Sequence, residues 1–374
     1  MTELLTNAPS VQHSLSVPGD KSISHRAVIL GSIAEGQSRV KGFLFGEDCI
    51  ATINVMRQLG VPITIDSETN EVIIEGRGLT GLQASTQLLD CGNSGTTMRL
   101  LSGLLAGQAF KSQLIGDASL NKRPMARVMN PLISMGANIE GYQGSELPPL
   151  TIQPVEALTA IRYEMPVASA QVKSAILLAA LQADGETEVI EQAVSRNHTE
   201  EMLQLFGVDL KVEGKHIKLN GGQTLKGQTI EVPGDISSAA YFLAAGLLLA
   251  DSELKIENVG LNETRSGILE VIQAMGGQLE VQPRANGISA DITVRSSRLK
   301  STVIEGELIP RLIDELPIIA LMATQAEGVT LIKDAAELKV KETDRVVAVA
   351  DQLNALGAEV TATADGWEIK GGSQ

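Results

Sequence analysis

Apolar residues along this chain follow helical and alternating patterns, and the same succession of patterns returns five times. Each copy opens with a short polar segment, enters an apolar helical run, and then reaches a glycine followed by alternating apolar and polar positions. The opening segments are 19–26, 92–96, 168–173, 234–238 and 313–317. A second helical run in each copy is predicted to begin near Asp48, Arg123, His198, Thr264 and Thr343. Repeats in sequence predict repeats in architecture, here a small two-layer unit of strands and helices.

Cap residues and glycines mark the predicted limits of the helices. Asn93, Thr199 and Asp235 are predicted N-caps, because their side chains can accept hydrogen bonds from N–H groups of the first helical turn. Helices are predicted to close at Gly60, Gly136, Gly207, Gly276 and Gly357. Strands are predicted at 63–65, 71–74, 150–152, 187–190, 215–219, 253–256, 291–294, 330–332 and 367–369.

Two Val-Pro-Gly-Asp segments of the same sequence, 17–20 and 232–235, predict two equivalent crossings between domains. We therefore expect a domain of three repeats at 21–235 and a discontinuous second domain at 1–20 plus 236–374. A sixth copy would begin beyond Gln374, so the second domain is expected to lack its last repeat. Its sheet would then have an unpaired edge, and its helices would expose an apolar face.

Composition narrows the class of protein. Hydrophobic residues make up 43% of the 374 residues and aromatic residues 2%, which predicts an aliphatic core of helices packed on sheets. The net charge of −15 argues against nucleic acid as a partner. A membrane span is not expected, and residues 1–5 lack the basic stretch of a signal peptide, so a cytoplasmic location is expected. Two cysteines and four scattered histidines predict neither a disulfide framework nor a metal site.

Basic side chains nevertheless gather at the repeat openings. They are Lys21, Arg26, Arg99, Lys122, Arg123, Lys173, Arg196, Lys341 and Arg345. Chance decoration of the helices by Lys and Arg is an open alternative, but these cations coincide with Ser, Asn and Gly turns. Because N–H groups and the helix dipole add to such cations, the pattern favours binding of a phosphate or carboxylate. At 314–315 and 341–345, carboxylates beside Lys and Arg are typical of a general base.

Four segments, 17–26, 92–96, 122–125 and 339–345, closely resemble motifs of the 5-enolpyruvylshikimate-3-phosphate (EPSP) synthase family. The resemblance covers essentially the whole chain. It implies an α/β (α+β) fold of two domains built from repeated βαβαββ units, with clamshell closure and with five of six repeats present. It also implies transfer of the enolpyruvyl group of phosphoenolpyruvate to the 5-hydroxyl of shikimate 3-phosphate, in the shikimate pathway of aromatic amino acid biosynthesis.

The same resemblance implies roles for individual residues. Expected shikimate 3-phosphate ligands are Lys21, Ser22, Arg26, Ser169, Gln171, Ser195, Arg196, Asp314 and Lys341. Expected phosphoenolpyruvate ligands are Lys21, Gly95, Arg123, Gln171 and Arg345. Lys21, Asp314 and Glu342 are the expected catalytic residues, with Asp314 as the base at the 5-hydroxyl and Glu342 handling the methylene proton. Ala170 and Glu337 stand where some members have Ser and Asn.

The resemblance implies no cofactor, a monomer when full length, and the inhibitor glyphosate at the phosphoenolpyruvate site. The family's Gly-Asp-His-Arg motif and a later Lys do not occur in this sequence. A non-catalytic fragment that binds shikimate 3-phosphate is therefore an open alternative. UDP-N-acetylglucosamine enolpyruvyl transferase, the sister enzyme, is disfavoured because Ser22 rather than Asn follows Lys21, and because the loop at 115–122 has no Cys.

Overall fold

The computed structural model describes residues 10–66 and 68–372, in which helices and strands alternate. The first segment contains β1 (Gln12–Ser16), α1 (Lys21–Ile33), β2 (Glu35–Lys41), α2 (Glu47–Gln58), β3 (Ile63–Asp66) and β4 (Glu71–Arg77). The second contains β5 (Leu89–Asp90), α3 (Gly95–Leu105), β6 (Ser112–Ile115), α4 (Ala126–Ser134), β7 (Asn138–Glu140) and β8 (Leu150–Gln153). The third contains β9 (Leu158–Thr159), β10 (Arg162–Glu164), α5 (Ala170–Ala180), β11 (Ala183–Asp184), β12 (Glu186–Ile190), α6 (His198–Leu205), β13 (Leu210–Glu213) and β14 (His216–Asn220).

The remaining elements continue the same order. The fourth segment contains β15 (Thr229–Glu231), α7 (Ile236–Leu248), β16 (Glu253–Gly260), α8 (Gly267–Ala274), β17 (Gln278–Pro283) and β18 (Ser289–Arg295). The fifth contains β19 (Val303–Ile304), α9 (Leu316–Thr324), β20 (Val329–Ile332), α10 (Arg345–Ala355), β21 (Glu359–Ala362) and β22 (Trp367–Lys370). Short 3-10 helices lie at Leu120–Lys122, Tyr142–Gly144, Gly306–Arg311 and Ala336–Val340. The predicted mixed α/β class is confirmed.

The four-stranded sheets of the described residues share one pairing pattern. Their strand orders are β15-β2-β4-β3, β5-β6-β8-β7, β10-β12-β14-β13, β1-β16-β18-β17 and β19-β20-β22-β21. In every order the first pair is parallel and the next two pairs are antiparallel. A small parallel pair, β9 with β11, accompanies them. The count of five repeats out of six, and closure like a clamshell, stay predictions.

The chain divides into two compact units at the predicted crossings. We call Gly19–Val232 the central unit, and Met1–Pro18 with Pro233–Gln374 the discontinuous unit. The strand β1 precedes α1 but pairs with β16 of the discontinuous unit, whereas β15 precedes α7 but pairs with β2 of the central unit. The limits of the predicted domains, 21–235 and 1–20 plus 236–374, lie within three residues of the limits of these units. That each unit is a folding domain stays a prediction.

Each unit has its own aliphatic core. In the central unit α1, α3 and α5 are largely buried, and α3 meets α5 at Gly103, where a Cβ atom would lie 2.1 Å from the Ala175 carbonyl oxygen. In the discontinuous unit, Trp367 on β22 is buried beneath α10. Two aromatic side chains on α7 of this unit, Tyr241 and Phe242, are exposed. Whether they belong to an apolar face that a further repeat would cover stays a prediction.

The predicted helix closures are confirmed, since Gly60, Gly136, Gly207, Gly276 and Gly357 all have positive φ and follow the second helix of their segments. Two predicted caps are wrong. Ser94 rather than Asn93 caps α3, and Thr199 lies inside α6, where its hydroxyl accepts a hydrogen bond from Arg26.

Three of the second helices begin two or three residues later than predicted. The helix α4 begins at Ala126 because the 3-10 helix Leu120–Lys122 precedes it. The helix α8 begins at Gly267, after a turn in which the Thr264 N–H donates to Asn262 Oδ1. The helix α10 begins at Arg345 because Asp344 is its cap.

Residues 1–5, used above to argue against a signal peptide, lie outside the described residues. Within the described ranges, every helix is too short or too polar to cross a membrane.

Candidate active site

The first predicted anion site lies at the start of α1 in the central unit. Asp20 caps the helix, and its Oδ1 atom accepts a 2.9 Å hydrogen bond from the Ile23 N–H. Lys21 is the first helical residue and forms an ion pair with Asp48 on α2. Ser22 follows in the same turn and is partly exposed. The cap therefore fixes where the helix begins, which places Lys21 and Ser22 at its positively polarised end.

Arg26 lies one turn further along α1 and is buried, with 4% of its surface exposed. Its Nε donates to Thr199 Oγ1 at 2.6 Å, its Nη2 to Ser174 Oγ at 2.7 Å, and its Nη1 to the Ser22 carbonyl oxygen at 3.0 Å. The guanidinium thus joins α1 to α5 and α6. These contacts give Arg26 a structural role, and contact with shikimate 3-phosphate stays a prediction for this residue.

The second predicted anion site joins the starts of α3 and α5. Arg99 Nη1 donates to Gln171 Oε1 at 2.7 Å, and Gln171 Nε2 donates to Thr96 Oγ1 at 2.9 Å. Because Arg can only donate, the amide oxygen of Gln171 must face Arg99 and its NH₂ group must face Thr96. The structure therefore fixes the orientation of Gln171 beside the first turn of α3.

Gly95 and Arg123 lie together at this place. A Cβ atom on Gly95 would be 2.9 Å from Arg99 Nη1 and 3.5 Å from Arg123 Nη1. Arg123 Nη2 donates to Asn93 Oδ1 at 2.7 Å, and Asn93 Nδ2 donates to Asp117 Oδ2 at 2.6 Å. Hydrogen bonds from the Leu120 N–H and the Asn93 amide lower the pKa of Asp117. A carboxylate thereby orients Asn93, and Asn93 orients Arg123.

One donor of Arg123 has no acceptor within the described part of the chain. Its Nε atom is buried and meets no protein oxygen at hydrogen-bond distance. A buried N–H without an acceptor is costly, and an anion beside the guanidinium would satisfy it. The combination of Gly95, Arg99 and Arg123 is therefore well suited to hold a carboxylate or phosphate.

A buried chain of hydroxyl groups connects these first two sites. His25 Nδ1 lies 2.7 Å from Thr52 Oγ1, Thr52 Oγ1 lies 2.7 Å from Thr97 Oγ1, and Thr97 Oγ1 donates to Ser94 Oγ at 2.7 Å. Burial, with the charges of Lys21 and Arg26, lowers the pKa of His25 to about 3. His25 is consequently neutral near pH 7. The sequence pattern gave no indication of Thr52 or Thr97 in this arrangement.

A third group of predicted ligands surrounds the start of α5. Ser169 caps that helix and accepts from the Val172 N–H at 3.4 Å. Ala170 is the first helical residue, and its carbonyl oxygen accepts from Ser174 Oγ at 2.6 Å. Ser195 is buried in the segment before α6, and its hydroxyl donates to the buried Glu191 carboxylate. Arg196 follows Ser195 and is partly exposed.

In the discontinuous unit, four predicted residues form a cluster at the starts of α9 and α10. Asp314 Oδ1 lies 3.2 Å from Arg345 Nη1 and 3.8 Å from Lys341 Nζ. Glu342 receives two hydrogen bonds from Arg345, 2.8 Å from Nε to Oε1 and 3.1 Å from Nη2 to Oε2. Burial lowers the pKa of Arg345, but hydrogen bonds and charge from Glu342 and Asp314 outweigh it and raise the pKa. All four side chains are about a quarter to a half exposed.

A second charge cluster in this unit is buried, and sequence reasoning missed it. Arg265 Nη2 lies 3.1 Å from Asp235 Oδ1 and 3.6 Å from Glu315 Oε1. Ser237 donates its hydroxyl to Glu315. The cluster ties the start of α7 to the start of α9, directly beside Asp314. Glu337, which stands where some family members have Asn, lies in the 3-10 helix Ala336–Val340.

Neither cysteine has the environment of a reactive thiol. Cys49 and Cys91 are both buried. Burial and the neighbouring Asp90 charge raise the pKa of Cys91, so it is a thiol rather than a thiolate near pH 7.

Helix starts that carry Arg, Lys and Ser, together with carboxylates paired with cations, are typical of an enzyme with anionic substrates. The sequence model of the family EPSP synthase (3-phosphoshikimate 1-carboxyvinyltransferase) matches residues 5–374. A 3-phosphoshikimate 1-carboxyvinyltransferase of Streptococcus pyogenes serotype M49 (strain NZ131) is 57% identical over 371 residues, which are 99% of this chain and 86% of that protein. Its counterpart in Streptococcus equi subsp. zooepidemicus (strain MGCS10565) is 56% identical over 370 residues, with the same coverage.

Similar solved structures belong to the same family as the sequence relatives. An EPSP synthase from Acinetobacter baumannii superposes with a TM-score of 0.87 at 46% identity, covering 98% of this chain and 83% of that one. This chain belongs to the EPSP synthase family and is a transferase of the shikimate pathway. The match to the family reaches Gln374 and gives no support to the expectation that a C-terminal segment is missing, which stays a prediction.

Proposed function

We propose that this protein transfers the enolpyruvyl group of phosphoenolpyruvate to the 5-hydroxyl of shikimate 3-phosphate and releases phosphate. One observation carries the proposal furthest: the buried Arg123 Nε, which lacks a protein acceptor among the described residues, next to Gly95 and the oriented Gln171. This arrangement is built for an anion. The names of relatives more than 55% identical over nearly the whole chain supply the identity of the substrates.

In the central unit, we assign anion binding to the helix starts. Arg123, Gly95, Gln171 and Lys21 bind phosphoenolpyruvate in this proposal, and the absent side chain of Gly95 leaves room beside the two Arg groups. Lys21, Ser22, Ser169, Gln171 and Arg196 bind shikimate 3-phosphate, with Arg26 behind them. The net charge of −15 repels both substrates at long range, so local cations and helix dipoles must supply the attraction.

Ser195 needs a different assignment from the one that the resemblance implied. Its hydroxyl hydrogen points to the Glu191 carboxylate, and a hydroxyl has only one hydrogen to donate. A phosphate dianion only accepts hydrogen bonds. Ser195 can therefore contact the phosphate through its hydroxyl only by giving up Glu191, and we assign it to holding the loop in place.

In the discontinuous unit, we assign acid–base chemistry to the Asp314 cluster. Asp314 accepts the 5-hydroxyl proton as the oxygen attacks C2 of phosphoenolpyruvate, while Glu342 in its protonated form adds a proton to the methylene carbon. Loss of one proton of the resulting methyl group back to Glu342 restores the double bond as the C2–O bond to phosphate breaks. The net change is one O–H bond and one phosphate ester broken, and one ether formed, with the hydroxyl proton leaving with phosphate or solvent.

Arg345 and Lys341 fit this scheme electrostatically. Arg345 contacts both Glu342 and Asp314, so it can exchange a protein carboxylate for the carboxylate of phosphoenolpyruvate. Lys341 lies beside Asp314 and stabilises its charged form. Once Arg345 turns to the carboxylate of phosphoenolpyruvate, Glu342 loses the two hydrogen bonds that favour its charged form and can take up the proton that the scheme requires.

A comparison of acceptors tests the proposal. The protein is incubated with phosphoenolpyruvate and, separately, shikimate 3-phosphate, shikimate or UDP-N-acetylglucosamine, and released phosphate is measured. We expect phosphate only with shikimate 3-phosphate. Release with UDP-N-acetylglucosamine would favour the sister enzyme, and binding of shikimate 3-phosphate without any release would favour a non-catalytic fragment.

The same proposal includes a cytoplasmic location and a monomeric state. It also includes the absence of nucleic-acid and membrane partners.

A further inference from the structure

Lys173 is a fully buried cation in the central unit, on the helix that also carries Ser169 and Gln171. Its surface is 0% exposed, and its Nζ atom lies 3.0 Å from Glu191 Oε2. It also forms an ion pair with Glu200 Oε1 at 2.5 Å. Both carboxylates are buried as well. We call Lys173, Glu191 and Glu200 the buried triad.

The buried triad holds one particular residue of the adjacent loop. Glu191 Oε1 accepts from the Ser195 N–H at 3.1 Å and also from the Ser195 hydroxyl. Lys173 Nζ donates to the Ser195 carbonyl oxygen at 3.4 Å. All three polar groups of Ser195 are therefore engaged by buried charged side chains, and the next residue along the chain is Arg196.

Burying three charged groups is expensive, so the arrangement needs a reason beyond stability. An apolar side chain at such a position is often at least as stabilising as a buried ion pair. Burial raises the pKa of Glu200, and the positive charge of Lys173 opposes that shift. What the triad provides is geometric, since charged hydrogen bonds to the N–H and to the carbonyl oxygen of one residue, Ser195, fix the loop more firmly than apolar packing.

We propose that Lys173 is a positioning residue for substrate binding: through Glu191 and Ser195 it fixes Arg196 for the phosphate of shikimate 3-phosphate. The inference rests on the proposed function. Lys173 itself is buried and has no exposed surface for a ligand to touch. Its influence passes along the 191–196 loop, whose orientation decides whether the Arg196 side chain is in place before the substrate arrives.

The test combines two measurements on Lys173→Met, which keeps most of the side-chain volume, with Lys218→Met as the matched control. Lys218 lies on β14 in a longer, partly exposed pair, 3.7 Å from Glu188. We expect Lys173→Met to speed amide hydrogen exchange at 195–197 and to weaken binding of shikimate 3-phosphate by roughly ten- to a hundredfold. The Lys218→Met variant should change neither. If Lys173→Met fails to fold, the isosteric Glu191→Gln variant replaces it, with effects in the same direction.

A double-mutant cycle separates positioning from general stability. In an Arg196→Ala background the triad has no ligand side chain left to place, so Lys173→Met should have little further effect on the Kd for shikimate 3-phosphate. Additive losses, or faster exchange with unchanged affinity, would overturn the proposal. If the unmutated protein does not bind shikimate 3-phosphate, the proposed function fails. The exchange measurement then still decides whether Lys173 holds the loop, and unchanged exchange would overturn that as well.

Discussion

The indole N–H of Trp367 donates a 2.8 Å hydrogen bond to the carbonyl oxygen of Val346, the residue that follows Arg345 on α10. Trp367 is the only tryptophan in the sequence and is buried. Its fluorescence therefore reports on the start of α10, where Arg345 contacts Glu342 and Asp314.

We expect phosphoenolpyruvate, added in the presence of shikimate 3-phosphate, to change the intensity or wavelength of Trp367 emission. The reason is that Arg345 must exchange at least one protein carboxylate for the substrate. A fluorescence titration measures the effect, and Arg345→Gln should remove it while leaving the emission of the free protein similar. An identical response in Arg345→Gln would place phosphoenolpyruvate elsewhere.

Gly95→Ala should weaken phosphoenolpyruvate binding and reduce inhibition by glyphosate. The added methyl would lie 2.9 Å from Arg99 Nη1, so Arg99 must shift and its bond to Gln171 is disturbed. The KM for phosphoenolpyruvate and the glyphosate concentration for half inhibition measure this. Gly46→Ala is the control, because its methyl would meet Leu44 at an ordinary 3.6 Å. Equal inhibition of Gly95→Ala and the unmutated protein would contradict the placement.

Arg123→Ala should weaken phosphoenolpyruvate binding by about ten- to a hundredfold, since a hydrogen-bonded Arg–anion pair contributes on the order of 1.5–3 kcal/mol. The side-chain oxygen of Asn93 would lose the Arg123 donor, while its amide NH₂ group keeps Asp117. Steady-state KM values, supported by calorimetry, measure the loss. Arg298→Ala, at an exposed Arg of the discontinuous unit, should leave the KM unchanged. Unaltered affinity in Arg123→Ala would refute its assignment as a ligand.

The buried His25 should make the protein less stable as the pH falls. Its folded-state pKa of about 3 is below the ordinary 6.5, so between these values the unfolded chain binds the extra proton. This one group then lowers the free energy of unfolding by up to about 1.4 kcal/mol per pH unit below pH 6.5 and has no effect above it. Urea unfolding at pH 7, 6 and 5 should show a shallower fall for His25→Gln than for a His13→Gln control. Parallel curves for the two variants would show that His25 is not buried in its neutral form.

Sequence patterns predicted the order of helices and strands well where the pattern is long. Strands of four or more residues with clear alternation, such as those containing 71–74 and 253–256, were found, and the structure extends them to Arg77 and Gly260. Strands of two residues, such as β5 and β19, were not found because two positions cannot show alternation. Glycine closures were predictable since a positive φ at that position strongly favours glycine.

The site was only partly predictable from the sequence. Motifs indicated which helix starts carry cations, but not which cations point inward. Arg26 and Lys173 are buried, whereas Lys21 is exposed, and all three stand in similar polar openings. One signal was available: α5 is apolar on nearly every side, so a Lys within it must be buried and must find carboxylates. The partners Glu191 and Glu200 come from later segments, and their contact depends on tertiary packing.

The central claim is that Asp314 is the base in a transfer to the 5-hydroxyl, and its removal is the most direct test. Phosphorus NMR of the protein with equimolar shikimate 3-phosphate and phosphoenolpyruvate follows both substrates, the enolpyruvyl product and free phosphate in one sample. We predict equal amounts of product and phosphate, a fall of roughly 10²–10⁴ in rate for Asp314→Asn with shikimate 3-phosphate affinity within a few-fold, and no change for Asp351→Asn on the exposed side of α10. Full turnover by Asp314→Asn, or phosphate released without the enolpyruvyl product, would contradict the account.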